Sequence, residues 1–185
     1  MRDVLLVIDV IDDFRHEDGD QLLASFREKL GALRTVLDAA RRGGIPVVYA
    51  NDNRGVWDGD AQRQIRDAID HGLGGDVIAA LRPQEGESFV VKPRYSAFDL
   101  TPLELILADL GAERLLMMGA SLEMCVTQTA IDARERRWKV TALVAACPGI
   151  DPELSKIALR YLEDVAGVFV HHDADLPADA SRGEG

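Results

Sequence analysis

The feature that most constrains this chain is the run Val4-Leu5-Leu6-Val7-Ile8-Asp9-Val10, apolar except for one carboxylate. A strand with one wet face alternates apolar and polar residues, whereas a strand covered on both faces does not. The run is far shorter than the ~20 residues a membrane helix needs. It therefore reads as a buried strand over 4–10. Similar short runs recur at 45–50, 88–91, 114–118, 140–144 and 168–171. Between them the apolar spacing is helical. Leu22, Leu23, Phe26, Leu30, Leu33 and Leu37 predict a helix over 22–42, which Gly43-Gly44 stops. Further helices are predicted over 61–69, over 102–110 (capped by Thr101 and begun by Pro102), over 123–137, and over 152–164 with Asp151 as cap. Buried strands alternating with helices predict an α/β fold. Its commonest form is a three-layer α/β/α sandwich around a doubly wound, six-stranded parallel sheet.

The 185 residues suit one domain, placed at 1–172, followed by a tail at 173–185. That tail is rich in Ala, Asp, Gly and Ser and is expected to fray. A formal net charge of -11 repels phosphate backbones and anionic membranes, so neither nucleic acid nor lipid is an expected partner. An anionic small molecule is not excluded, because a pocket can differ from the average surface. The first residues carry no basic segment leading into a signal-like apolar stretch, so the expected location is cytoplasmic. Cys125 and Cys147 then read as free thiols rather than a disulfide.

Ligands of such sheets bind beyond the C-terminal ends of the strands. Asp9 ends the first strand, Asn51-Asp52-Asn53 follows the second, Lys92 ends the third, and Gly119 to Cys125 follows the fourth. Each residue has an ordinary explanation. Cysteine is commonly a small buried hydrophobe, a strand-end Asp can cap a turn, and a lysine can simply be solvated. Position changes the balance for Cys125. A place in the first turn of a helix offers it free backbone N–H groups and a positive dipole end, which favour a thiolate and could hold an oxyanion. A nearby Lys92 ammonium would lower the thiol pKa further, and Asp9 could move the proton to a leaving group. Cys147, next to Pro148, reads as structural.

Three segments together resemble the isochorismatase-like, or nicotinamidase-related, cysteine hydrolases: Asp9-x-x-x-Asp13-Phe14, then Lys92 after Phe89-Val90-Val91, then Gly119-Ala120-Ser121-Leu122-Glu123-Met124-Cys125-Val126-Thr127-Gln128-Thr129-Ala130. The resemblance spans about residues 3–171. It implies a six-stranded parallel sheet and a catalytic Asp9–Lys92–Cys125 triad. It also implies a cis peptide at Ser121–Leu122 that aims the Leu122 and Cys125 amides at an oxyanion, and a homo-oligomer. Leu122 replaces the Thr often found there, and Ile11-Asp12 replaces Gln-Asn. The metal ligands of nicotinamidases, an Asp and histidines, have no counterpart: Asn51-Asp52-Asn53 stands at that place, and His16, His71, His171 and His172 all lie elsewhere. No metal and no cofactor are expected, although Asp52 could hold a hard cation loosely.

The function expected is hydrolysis of a C–N bond, amide or ureido, in a small molecule through a thioester at Cys125. Phe14, Trp57, Tyr95 and Phe98 are the aromatic candidates for the pocket wall. Two rivals follow the family: an isochorismatase-type vinyl-ether hydrolase that does not need the cysteine, and a non-catalytic binding module. A phosphoryl-transfer site built on Asp9, Asp12, Asp13 and Asp52 fits less well. The aspartate phosphatases want a second Asp where Ile11 stands, and receivers place Lys-Pro on their last strand. No Gly-x-Gly-x-x-Gly follows the first strand, so no dinucleotide site is indicated.

Overall fold

A computed structural model describes residues 1–56 and 60–180. Each expected apolar run contributes a strand: β1 Asp3–Ile8, β2 Val47–Asp52, β3 Ser88–Lys92, β4 Arg114–Gly119, β5 Lys139–Leu143 and β6 Phe169–His171. They form one sheet in the order β3-β2-β1-β4-β5-β6, with every neighbouring pair parallel. The first strand is shorter than its apolar run. Asp9 turns the chain at φ 45, and Val10 and Ile11 stay buried in the loop that follows. Apolarity marked burial there, and burial outlasts the strand.

The helices are α1 Gly19–Gly43, α2 Ala61–His71, α3 Gly75–Leu81, α4 Leu103–Asp109, α5 Thr127–Glu135 and α6 Pro152–Asp164. Gly44 ends α1 in the left-handed region, and Asp151 caps α6 by accepting from the Glu153 and Leu154 amides. Helix α3 was not predicted; Gly72, Gly74 and Gly75 stand at its start, in a stretch that read only as polar and glycine-containing. Tertiary packing requires the middle one: a Cβ on Gly74 would lie 2.5 Å from the Phe14 ring.

The strand residues alternate between two cores. Leu5, Val7, Tyr49, Leu116 and Met118 pack with the buried faces of α1, α2 and α3. Val4, Leu6, Ile8, Val48, Leu115 and Met117 pack with those of α4, α5 and α6. The three layers follow directly. The chain winds outward from β1 to β3 beneath one helical layer, then returns to β4 beside β1 and winds the other way beneath the second. Right-handed crossovers permit only this placement of the helices.

Part of the segment expected to fray packs against the domain, over 176–180. Pro177 is buried, Leu176 and Ala180 pack against the first core, and Asp179 pairs with Arg114 at 2.9 Å. Arg114 is itself paired at 2.7 Å with the fully buried Asp3. Composition marks this segment as flexible, and the sheet supplies partners for part of it. No helix among the described residues is long and apolar enough to cross a membrane.

Candidate active site

The reversal of strand order falls between β1 and β4, and the crevice it opens lies beyond their C-terminal ends. Asp9 leaves β1 there and Cys125 follows β4. Lys92 ends β3, two strand spacings or about 9–10 Å from β1. Only a long side chain crosses that gap. Buried to 0% exposure, Lys92 lays its stem over the end of β2 and sets its Nζ 2.7 Å from Asp9 Oδ2 and 3.5 Å from Cys125 Sγ. The same ammonium donates to the Arg94 carbonyl at 2.9 Å, and the other Asp9 oxygen accepts from the Asp52 amide at 2.7 Å. A carboxylate, an ammonium and a thiol are thus brought together from three different strand ends.

The electrostatics differ from the sequence expectation. Burial, together with the neighbouring Asp9 carboxylate, pushes the Cys125 thiol up to about 12, and Lys92 offsets only part of this. Burial also raises the Asp9 carboxyl above its ordinary range, against the pull of Lys92. Lys92 ends above its own ordinary value, because Asp9 and Cys125 outweigh the burial that opposes its charge. Burial thus opposes charge on the thiol and on the carboxylate alike, while Lys92 favours the charged form of each. One ammonium cannot fully stabilise two adjacent anions in a half-dry crevice. Cys147 is pushed up to about 12 as well, by burial. What separates the two thiols is access and company: Cys147 is 1% exposed and its Sγ faces the Leu143 carbonyl, while Cys125 is half-buried beside Asp9 and Lys92.

The loop carrying Cys125 departs from expectation in three ways. First, the cis peptide is Ala120–Ser121, not Ser121–Leu122. Gly119 leaves β4 at φ 114 while the Ala120 amide still bonds to the Ile8 carbonyl at 2.8 Å, so the reversal falls on the very next peptide. Secondly, the Leu122 amide donates to the Pro148 carbonyl at 2.9 Å and is not available to an oxyanion. Thirdly, Cys125 lies not in a regular first turn but in a π-helical turn, Leu122–Val126, that precedes α5. Ser121 is buried, and its carbonyl accepts from the Met124 and Val126 amides.

The aromatic candidates separate. Phe14 is 1% exposed and packs edge-on against Phe26 in the first core. Phe98 belongs to the second core, with the Arg136 guanidinium 5.0 Å above its ring. These two are core residues among the described residues. Tyr95 is exposed, and Trp57 lies outside the described residues. A cavity of about 410 Å³ opens beside the site, between the loop after β1, the loop after β2 and helix α2. Asp13, Asn53, Arg54, Gln64, His71 and Val91 are among its lining residues. Asp9, Lys92 and Cys125 are not, so the cavity adjoins the triad without containing it.

The run after β2 is committed internally. Asn51 grips the Ile11 backbone through both ends of its amide, at 2.9 and 3.0 Å. Asp52 accepts from the Arg54 amide and Asn53 from the Gly55 amide. Arg54 in turn pairs with Asp12 and Asp13. Asn and Asp in this run are expected to shape the loop by turning on their own backbone, as Asp52 and Asn53 do; the grip of Asn51 on Ile11 and the Arg54 pairs were not read from the sequence. The available signal was a polar Asn51 placed directly after an apolar strand, where a buried amide needs partners. Among the described residues, the His, Cys, Asp and Glu side chains gathered closely enough to share a metal ion are His171, Asp173 and Asp175, on and after β6, three strands from β1.

The comparisons with known proteins agree with this geometry. The model of the isochorismatase domain matches residues 3–174. An uncharacterized isochorismatase family protein of Bacillus subtilis, YaaI, is 27% identical over 161 residues, 87% of this chain and 88% of its own. The ureidoacrylate amidohydrolase RutB of Methylorubrum extorquens is 34% identical over 110 residues, 57% of this chain and 44% of its own. Among solved structures, N-carbamoylsarcosine amidase from Thermoplasma acidophilum superposes with a TM-score of 0.72 at 28% identity, covering 96% of this chain and 99% of that one. With the family model spanning nearly all of the sheet and its helices, the chain belongs to the isochorismatase family of hydrolases.

Proposed function

We propose that this chain is a cysteine hydrolase that cleaves a C–N bond, amide or ureido, of a small molecule through a thioester at Cys125. The observation that carries the reading is the contact of Lys92 Nζ with both Asp9, at 2.7 Å, and Cys125, at 3.5 Å. Relatives named for hydrolysis of ureidoacrylate and of N-carbamoylsarcosine point to the same bond class.

With the thiol pushed up by burial and by the neighbouring carboxylate, Asp9 acts first as a base. It takes the thiol proton as Sγ attacks the carbonyl carbon. The resulting oxyanion is held by backbone donors of the nucleophile turn, with the Cys125 amide as the remaining member of the expected pair. Asp9 then passes its proton to the departing nitrogen as the C–N bond breaks. Water next gives a proton to Asp9 and its oxygen to the thioester, and the thiolate leaves and recovers that proton. Lys92 keeps a positive charge beside whichever of the two groups is the anion.

A screen of small amides and ureides, with N-carbamoylsarcosine, ureidoacrylate, nicotinamide and isochorismate included, tests the proposal beside Cys125→Ala. Hydrolysis of an amide or ureide that the variant loses supports it. Turnover that survives Cys125→Ala, with isochorismate the only compound cleaved, would instead establish the vinyl-ether reading. Absence of turnover in every case would favour a binding role.

A further inference from the structure

We infer that Glu123 is a positioning residue for the nucleophile, fixing the turn that carries Cys125 to the start of α6; this rests on Cys125 being the nucleophile. A π-helical turn is a rare departure from the α-helix, and a single one such as Leu122–Val126 draws support from outside itself. Glu123 supplies it. One of its carboxylate oxygens accepts from the Ile150 amide at 2.7 Å and the Asp151 amide at 3.0 Å. The other accepts from the Ser155 hydroxyl at 3.0 Å. Three donors on one carboxylate hold its position far more tightly than one.

The receiving loop is built to take it. A Cβ on Gly149 would stand 2.4 Å from Ser155 Oγ and 2.7 Å from Glu123 Oε2, so only glycine leaves room for the contact. The Gly149 amide donates to Ser25 on α1 at 3.1 Å, and the Pro148 carbonyl accepts from Leu122. The nucleophile turn is therefore tied to a loop that is tied to both helical layers. Glu123 itself lies two residues from Cys125 and takes no part in the hydrogen bonds that join Asp9, Lys92 and Cys125.

If the tether sets the geometry of Cys125, losing it releases the thiol from Asp9 and from its half-buried seat. If Glu123 only caps α6, its loss lowers stability and leaves the chemistry of Cys125 alone. Iodoacetamide labelling read by mass spectrometry separates these cases, since it reports Cys125 and Cys147 in one sample. The expected result is that Glu123→Ala moves the pH profile of Cys125 labelling down toward the ordinary thiol value of 9.0. Glu123→Gln should keep the parental profile, because an amide still accepts from two backbone donors and can donate to Ser155. Cys147 should stay unlabelled throughout. A Cys125 profile unchanged in Glu123→Ala overturns the inference. Should Cys147 become reactive in that variant, showing that the fold has opened, Glu123→Asp decides by the same rule. Its shorter arm cannot reach all three donors, so an unshifted profile again overturns the inference. Failure of the nucleophile assignment would show separately, as hydrolysis that survives Cys125→Ala.

Discussion

At the scale of single residues, the chemistry turns on where one proton resides. Asp9 is raised above the ordinary carboxylate value of 3.8, and the proposed mechanism requires it ionised to take the thiol proton. The active form therefore exists above the raised pKa and is lost as pH falls through it. The acid limb of kcat/KM is expected above 3.8, and a limb at or below that value would refute the role given to Asp9. On the same footing, a thiol pushed up to about 12 gives labelling of Cys125 that keeps climbing through pH 10. A plateau near neutrality would mean a preformed thiolate. Asp9→Asn and Lys92→Ala should each reduce turnover roughly 10³-fold or more without adding to each other, because members of one unit fail together. A small loss in either folded variant would dissolve the triad. Chelation tests the same site from another side. Asn51, Asp52 and Asn53 are neutral or singly charged oxygen donors engaged with backbone amides, a poor set for zinc or iron. Dialysis against a strong chelator should leave hydrolysis intact; loss that zinc, iron or manganese restores would overturn this.

At the scale of elements, the approach of β4 to β1 sets the start of the turn that carries Cys125. Ile8 stands opposite Gly119, and a Cβ on Gly119 would fall 2.0 Å from the Ile8 carbonyl oxygen at a φ of 114. Gly119→Ala should cost about 1–3 kcal/mol in backbone strain. Overpacking against Ile8 should add a further ~1–3 kcal/mol. Urea unfolding measures the sum, and a midpoint equal to the parent's would show that β4 can yield. Helix α6 gives a milder case. Asp151→Ala removes a cap bonded to two amides at 2.8 and 3.0 Å. The expected loss is about 0.5–2 kcal/mol.

At the scale of the whole molecule, the far edge of the sheet holds the C-terminal segment. The Asp3–Arg114 pair is buried, with side-chain exposures of 0% and 8%, whereas Asp179 is 66% exposed. Removing one partner of a buried pair costs about 3–5 kcal/mol, so Asp3→Ala should lower stability severely. The outer Arg114–Asp179 contact contributes no more than ~1 kcal/mol. Ending the chain after His172 uncovers the packing of Leu176 and Pro177 and should cost a further ~1–3 kcal/mol. A melting temperature unchanged by that truncation would show that the segment adds nothing to the fold. This edge lies opposite the strand ends that carry the triad, so both changes should leave the rate per folded molecule unaltered.

By itself the sequence determined what depends on local pattern. Unbroken apolar runs such as 4–8 mark strands covered on both faces, and the 3.6-residue spacing of Leu22 to Leu37 marks a helix against them. Their alternation makes the sheet parallel and its C-terminal edge the place for chemistry. Asp9, Lys92 and Cys125 stood out as candidates because Lys92 ends a strand and Asp9 and Cys125 each follow one closely, within segments that resemble a known family. Only the tertiary structure decided what depends on residues distant in sequence. Whether the thiol of Cys125 is ionised depends on how far three strand ends exclude water, which no spacing encodes. The aromatic side chains of Phe14 and Phe98 look the same in sequence whether they face a pocket or a core, and contact with Phe26 and Arg136 places them. The Leu122 amide is taken by Pro148, and Glu123 by Ile150, Asp151 and Ser155, across 26 to 32 residues of chain. Periodicity reports burial, which is a property of one segment against the average of the rest. Hydrogen bonds and ionisation report individual partners, and those exist only once the chain has closed.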